Sequence, residues 1–129
     1  MQFDYSQALE SIDADYRRYV DMFRSDGGNL SDLLELKDIH TARVVENIAA
    51  IASSHTEDPF LRYCCMASAR LHDVGRFEQL KTYGTFRDSQ SIDHAQLSHR
   101  IVSENRWLDG MEGAKCILDA VLFHNRREL

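Results

Sequence analysis

A single proline, Pro59, and six glycines in 129 residues leave most of this chain without a helix breaker. That scarcity constrains the fold more than any other feature. Within the unbroken stretches apolar residues recur at steps of three and four, the spacing of one helix face. Leu9, Ile12, Tyr16, Tyr19, Val20 and Phe23 make such a stripe over about 6–24, and the Ser-Asp-Gly-Gly-Asn run at 25–29 reads as the loop that ends it. Ser31 predicts the N-cap of a second helix running to about 54, with Leu36, His40, Val44, Ile48 and Ile51 on its apolar face. Asp58-Pro59 pairs an N-cap residue with proline at the first helical position, which starts a third helix to His72. Gly75 suits the stop after it. Residues 76–91 hold turn-like patches at Tyr83-Gly84 and Asp88-Ser89 and read as one long loop with room for one short helical turn, of a length that tends to accompany function. A fourth helix from Asp93 carries His94, Leu97, Ile101 and Val102, and a fifth over about 112–125 carries Ile117, Val121 and His124. No strand-like alternation of any length and no internal repeat interrupts this pattern. The expectation is an all-α, single-domain bundle of about five or more helices over 1–129.

Charge and cysteine usage narrow the class of partner. The net charge of −6 comes with no basic stripe, which argues against long nucleic acid. A short nucleotide held by a few local arginines stays compatible. No apolar stretch approaches the ~20 residues of a membrane helix, and the start, MQFDYSQALESIDAD, lacks the apolar region of a secretory signal. Cys64 and Cys65 are adjacent and Cys116 is left over, so neither a disulfide framework nor a C-x-x-C metal motif is present. Cys64 and Cys65 are expected to pack in a helix as small hydrophobes. Together these features predict a cytoplasmic protein without membrane spans.

The histidines carry the functional signal. His40, His72, His94 and His124 lie on or at the end of apolar stripes, each in a different helix. One imidazole on such a face is usually a hydrogen-bonded core residue, but four in one small domain are harder to absorb. Each would cost about 1–3 kcal/mol if buried without a partner, and a shared cation would satisfy several at once. Asp73 adds a carboxylate beside His72, giving a donor set suited to a divalent transition ion. The predicted helix C-terminus there carries partial negative charge, which also favours a cation. Adjacent helical residues point about 100° apart, so His72 and Asp73 serve one ion only at a helix end, or else reach two. His55, at a helix end, and His99, on another face from His94, are excluded.

At this point the residues resemble the HD-domain metal-dependent phosphohydrolases. His40-Thr41-Ala42-Arg43-Val44 is similar to the H-x-x-R-V helix of that family, and Leu71-His72-Asp73-Val74-Gly75-Arg76 to its L-H-D-[IV]-G-[KR] motif. Asp93-His94-Ala95-Gln96-Leu97-Ser98 resembles a D-H-A-x-x-G segment, with Ser98 where glycine is usual, and Val121-Leu122-Phe123-His124-Asn125 a later histidine-bearing helix. The motifs span about 36–125. The resemblance implies a helical fold around a metal centre with His40, His72 and Asp73 on a primary ion. It implies further that Asp73 bridges to a second ion on His94 and His124. The family places another aspartate on a helix after the last histidine, whereas this sequence reaches Leu129 without one. The expectation drawn from that departure is a fragment or a shortened homologue lacking C-terminal helices, with apolar surface uncovered and a homodimer as one way to cover it.

The activity so implied is hydrolysis of a small phosphorylated substrate, nucleotides included. Asp73 is the central catalytic residue and one or two divalent ions (Mn, Fe, Ni, Zn, Co or Mg) are the cofactor. Such an ion acidifies water and polarises a phosphoryl oxygen. Arg76 and Arg43 are the expected substrate-binding cations, with Lys81 and Arg87 as loop candidates and Glu78 or Asp93 as proton carriers. The competing readings are a degenerate HD fold that binds a metal or nucleotide without turnover, a structural bundle with core histidines, and an oxidative di-iron version of the scaffold.

Overall fold

The computed structural model describes residues 3–124, and among them the chain is all-helical: α1 (Tyr5–Asp21), α2 (Asp32–His55), α3 (Pro59–Leu71), α4 (Gly75–Tyr83), α5 (His94–Glu104) and α6 (Ala114–Phe123), with one 3-10 turn at Asp88–Gln90. The first helix follows its pattern closely. Asp4 accepts from Gln7 N at 3.0 Å to cap it, and Ala8, Ile12, Tyr16 and Val20, each four residues on, are buried. Asp58 Oδ1 accepts from Phe60 N at 2.9 Å and Pro59 opens α3. Both choices supply what a helix start lacks.

The helices α1 and α2 pack on α3, while α5 is clasped between α4 and α6, and α6 returns to α3. The core between them is one cluster in which Tyr16, Tyr63, Leu71, Phe77, Leu97 and Ile117 are almost wholly enclosed. Each large apolar side chain so buried contributes about 1.5–3 kcal/mol. Polar tips are satisfied at the margins: Tyr63 Oη donates to Glu112 O at 2.9 Å and Tyr16 Oη to Asp38 Oδ1 at 3.0 Å.

Three expectations need correction. First, residues 76–91 are not one loop: α4 occupies Gly75–Tyr83. Gly75 does not stop a helix but begins one, because its lack of a side chain lets α4 meet α5. A Cβ there would sit 2.7 Å from His94 O and 2.7 Å from Ser98 N. Val74, in the cap position of α4, cannot cap it; Ser98 Oγ of α5 accepts from Gly75 N at 2.8 Å instead. Second, the apolar stripe of α2 is not its core face. The buried residues of α2 are Leu34, Thr41 and Ala52, whereas Leu36 and Ile51 are exposed. Val44 and Ile48, on the same stripe, line an open cleft. Third, Cys65 is exposed rather than packed, and Cys64 is half-buried. No helix among the described residues is long and apolar enough to cross a membrane.

Candidate metal centre

Four separate pieces of the chain deliver the five side chains singled out above to one place. His40 comes from the middle of α2, and His72 caps the C-terminus of α3. Asp73 lies in the tight turn into α4, where its carbonyl accepts from Arg76 N at 2.9 Å. His94 opens α5 and His124 caps the C-terminus of α6. The turn answers the geometric problem posed by adjacent His72 and Asp73, since the helix has ended and both side chains face one point.

Asp73, 6% exposed, is the hub. Its Oδ2 lies 3.4 Å from both His40 Nε2 and His72 Nε2, and its Oδ1 lies 3.3 Å from His94 Nε2 and 3.5 Å from His124 Nε2. Two donor groups result, His40–His72–Asp73 and Asp73–His94–His124, each with ligand atoms within 4.8 Å of one another. They share only the aspartate. Asp88, Asp93 and His94 form a third grouping of the same size, although Asp93 Oδ1 is already the cap acceptor for Ala95 N and Gln96 N.

The outward ring nitrogens fix the tautomers. His72 Nδ1 bonds Ala69 O at 2.6 Å and His124 Nδ1 bonds Val121 O at 2.7 Å. These are the same device, a helix-capping histidine tied to the carbonyl three residues back. A carbonyl oxygen only accepts, so both Nδ1 atoms carry the proton. His94 Nδ1 likewise donates to Asp88 Oδ2 at 2.8 Å. All three Nε2 lone pairs therefore turn inward, the arrangement of histidine ligands backed by outer hydrogen-bond acceptors. His94 Nε2 and His124 Nε2 then stand 3.0 Å apart. Two lone pairs beside a carboxylate at that distance repel unless a cation lies among them. A proton or a metal ion meets the need, and a nitrogen-and-carboxylate donor set fits a divalent metal. The C-termini of α3 and α6 add their partial negative charge.

The protonation tendencies agree. Burial alone would raise the Asp73 carboxyl, yet a proton donated to it from His124 or His94, with the charge of the nearby rings, holds it well below the usual carboxylate range. Burial pushes His72 down and the nearby Asp73 only partly opposes this, so the ring is held neutral. For His124 burial also acts downward, but the bonds to Asp73 and Val121 O outweigh it and its affinity for a proton is raised.

Sequence reasoning missed the residues behind His94. Asp88, in the 3-10 turn, holds the imidazole with Oδ2 while its Oδ1 accepts from Arg76 Nη1 at 3.2 Å and from Gln79 Nε2 at 2.9 Å. Gln79 is fully buried, and its Nε2 also bonds Ser91 Oγ and Ile92 O. A loop aspartate in a turn gives no periodic signal, and Gln79 falls in the stretch 76–91 that reads as a loop. Arg76 is drawn into the same network. Its Nη1 bonds Gln79 Oε1 and Phe86 O at 2.8 and 2.7 Å, and it does not stand open as a phosphate clamp. Arg43 is exposed, in a groove of about 420 Å³ beside His40. Lys81 lies over the Phe23 ring, and Glu78 bonds Thr82. On the other flank of the centre a cleft of about 670 Å³, walled by Val44, Ile48, Ala69 and Phe123, reaches His72 and His124.

An all-helical fold with four histidines gathered on one buried aspartate defines a candidate metal centre. The chain matches no family model, and no curated protein or solved structure matches it.

Proposed function

We propose that the chain is a metal-dependent phosphohydrolase of the HD type, acting on a small phosphoester with nucleotides among the candidates. The observation that carries this reading is the set of inward Nε2 lone pairs around Asp73, shared between two donor groups. His40, His72 and Asp73 would hold one divalent ion, and His94, His124 and Asp73 a second. A divalent ion in such a set supplies Lewis acidity, lowering the pKa of water from roughly 15.7 towards about 7 and drawing charge from a phosphoryl oxygen. The side chains position and hold the rest. Asp73 fixes the spacing of the two groups, and Arg43 neutralises phosphate charge at the exposed edge. Arg76 keeps its positive charge close by while ordering Asp88. The apolar cleft, open among the described residues, supports the expectation of a homodimer, against which a monomer by light scattering would count.

The test is turnover of generic phosphoesters and nucleoside monophosphates with manganese or nickel added. Activity abolished by Asp73→Ala, with metal bound in the native chain, supports the hydrolase. A second reading, a binding module without turnover, is favoured by one observation: the His40 group offers three donors, and its His40 ring is half exposed. Tight metal or nucleotide binding with no turnover would select it. Protein purified without an affinity tag and lacking any metal by elemental analysis would leave only a structural bundle.

A further inference from the structure

The two flanks of the centre differ in charge, and we infer that the groove beside His40, with Lys37 and Arg43, is a subsite for a second anionic group of the substrate. This rests on the phosphohydrolase reading and extends it to a substrate class: phosphoesters that carry a further phosphoryl or carboxylate group.

Spacing supplies the first argument. Lys37 and Arg43 lie three residues before and three after His40 on α2, so they flank the ligand on nearly one helix face, a turn to either side. All three side chains line the same groove, which Phe86 closes from the loop after α4. His40 is thus both a donor of the outer group and a wall of the groove. Charge supplies the second. On a chain of net charge −6, cations usually find acids, yet no carboxylate lines this groove. The nearby Asp38 is taken by Arg17, at 2.9 Å, and by Tyr16, and Glu35 lines a different pocket together with Arg24. Among the described residues neither Lys37 nor Arg43 forms an ion pair; Lys37 Nζ rests 4.9 Å from the Phe86 ring centroid. An ammonium parked over an aromatic face keeps a defined position while its hydrogen-bonding capacity stays available to an oxyanion. The cleft that reaches His72 and His124 supplies the contrast, since among the described residues no lysine or arginine lines it. A substrate whose scissile phosphate sits at the centre would meet the unpaired cations Lys37 and Arg43 on the His40 side.

Calorimetric titration of the manganese-loaded protein with three probes tests this: glycerol 3-phosphate, 3-phosphoglycerate and propane-1,3-diyl bisphosphate. The inference expects at least one of the two probes with a second anionic group to bind about tenfold more tightly than glycerol 3-phosphate, the size of one charge-assisted contact. Which of them gains distinguishes carboxylate from phosphoryl. In Lys37→Gln and in the Lys37→Gln, Arg43→Gln pair, that ratio should shrink towards one. Both positions are on the surface of α2, and circular dichroism checks that the helix persists. Equal binding of all three probes overturns the subsite, and so does a ratio that survives both variants. Binding with the expected ratio but no hydrolysis keeps the subsite and removes the hydrolase. Absence of binding by every probe overturns the subsite and leaves the hydrolase reading to the turnover assay.

Discussion

The two halves of the centre share Asp73, and each has one helix-capping histidine tied to the carbonyl three residues back, but they differ at the other histidine. On the inner side the His94 side chain is 6% exposed, and Asp88 holds its second ring nitrogen while Arg76 and Gln79 brace Asp88 in turn. On the outer side the His40 side chain is 48% exposed, and among the described residues no hydrogen bond fixes its other nitrogen. The inner half is built before any ion arrives, whereas the outer half has one ligand, His72, locked and one loose. Preorganisation lowers the cost of binding, so the inner group should hold metal more tightly and the outer group should exchange it.

The shared residue gives the largest expected effect. Asp73→Asn keeps the shape but removes the one charge common to both groups, and metal content by elemental analysis should fall to background for both. A single retained equivalent would break the symmetry of dependence on Asp73 and show that one half stands without it. Next comes the contrast between His94→Ala and His40→Ala. The first removes a buried ring and leaves half-buried Asp88 without its imidazole, and should cost about 1–3 kcal/mol of folding stability as well as the inner ion. The second removes a half-exposed ring and should leave stability within about 0.5 kcal/mol while weakening only the outer ion. Equal loss of stability in the two variants, by thermal unfolding of metal-free protein, would erase the distinction.

Asp88 sharpens the comparison further. Asp88→Ala should weaken inner-site metal affinity about 10–100-fold, the usual cost of losing an outer partner of a histidine ligand, with the His40 group unaffected. Nitrogen-15 NMR supplies a readout that a loss of packing alone would not give. In the native chain His94 should show a protonated Nδ1, and in the variant a mixture of tautomers. An unchanged spectrum would mean that Asp88 does not set the tautomer.

The chemistry was more legible in the sequence than the architecture that presents it. His40, His72, Asp73, His94 and His124 stood out because histidines on apolar stripes are hard to satisfy otherwise, and the structure brings all five together. What failed was the inference from an apolar stripe to the core. Leu36, Val44, Ile48 and Ile51 have helical spacing, but the same spacing describes the wall of a groove or cleft, and burial depends on which neighbours arrive. Gly75 was misread for a related reason. Glycine serves both helix ends and close helix crossings, and only the approach of α5 to within 2.7 Å of its missing Cβ tells them apart. Asp88 and Gln79 were invisible because their roles rest on contacts across the fold rather than on any local pattern.

The smallest expected effect tests how far the rigidity of the inner half depends on that crossing. Ser98 is fully buried, accepts from Gly75 N at 2.8 Å and donates to His94 O at 2.8 Å. It therefore joins the start of α4 to the first turn of α5, one residue pair away from Asp73 and at His94 itself. Ser98→Ala removes the acceptor and leaves the Gly75 amide, at a helix start, without its partner, which should cost about 1 kcal/mol of stability. The His94 carbonyl still has an intrahelical role, so the imidazole should stay in place and inner-site affinity should change less than in Asp88→Ala. If metal affinity in Ser98→Ala instead fell as far as in Asp88→Ala, the placement of α5, and not the carboxylate behind the ring, would be what orders His94. The inner half would then owe its rigidity to helix packing, and the contrast with His40 would lie in the depth of each helix rather than in hydrogen bonding.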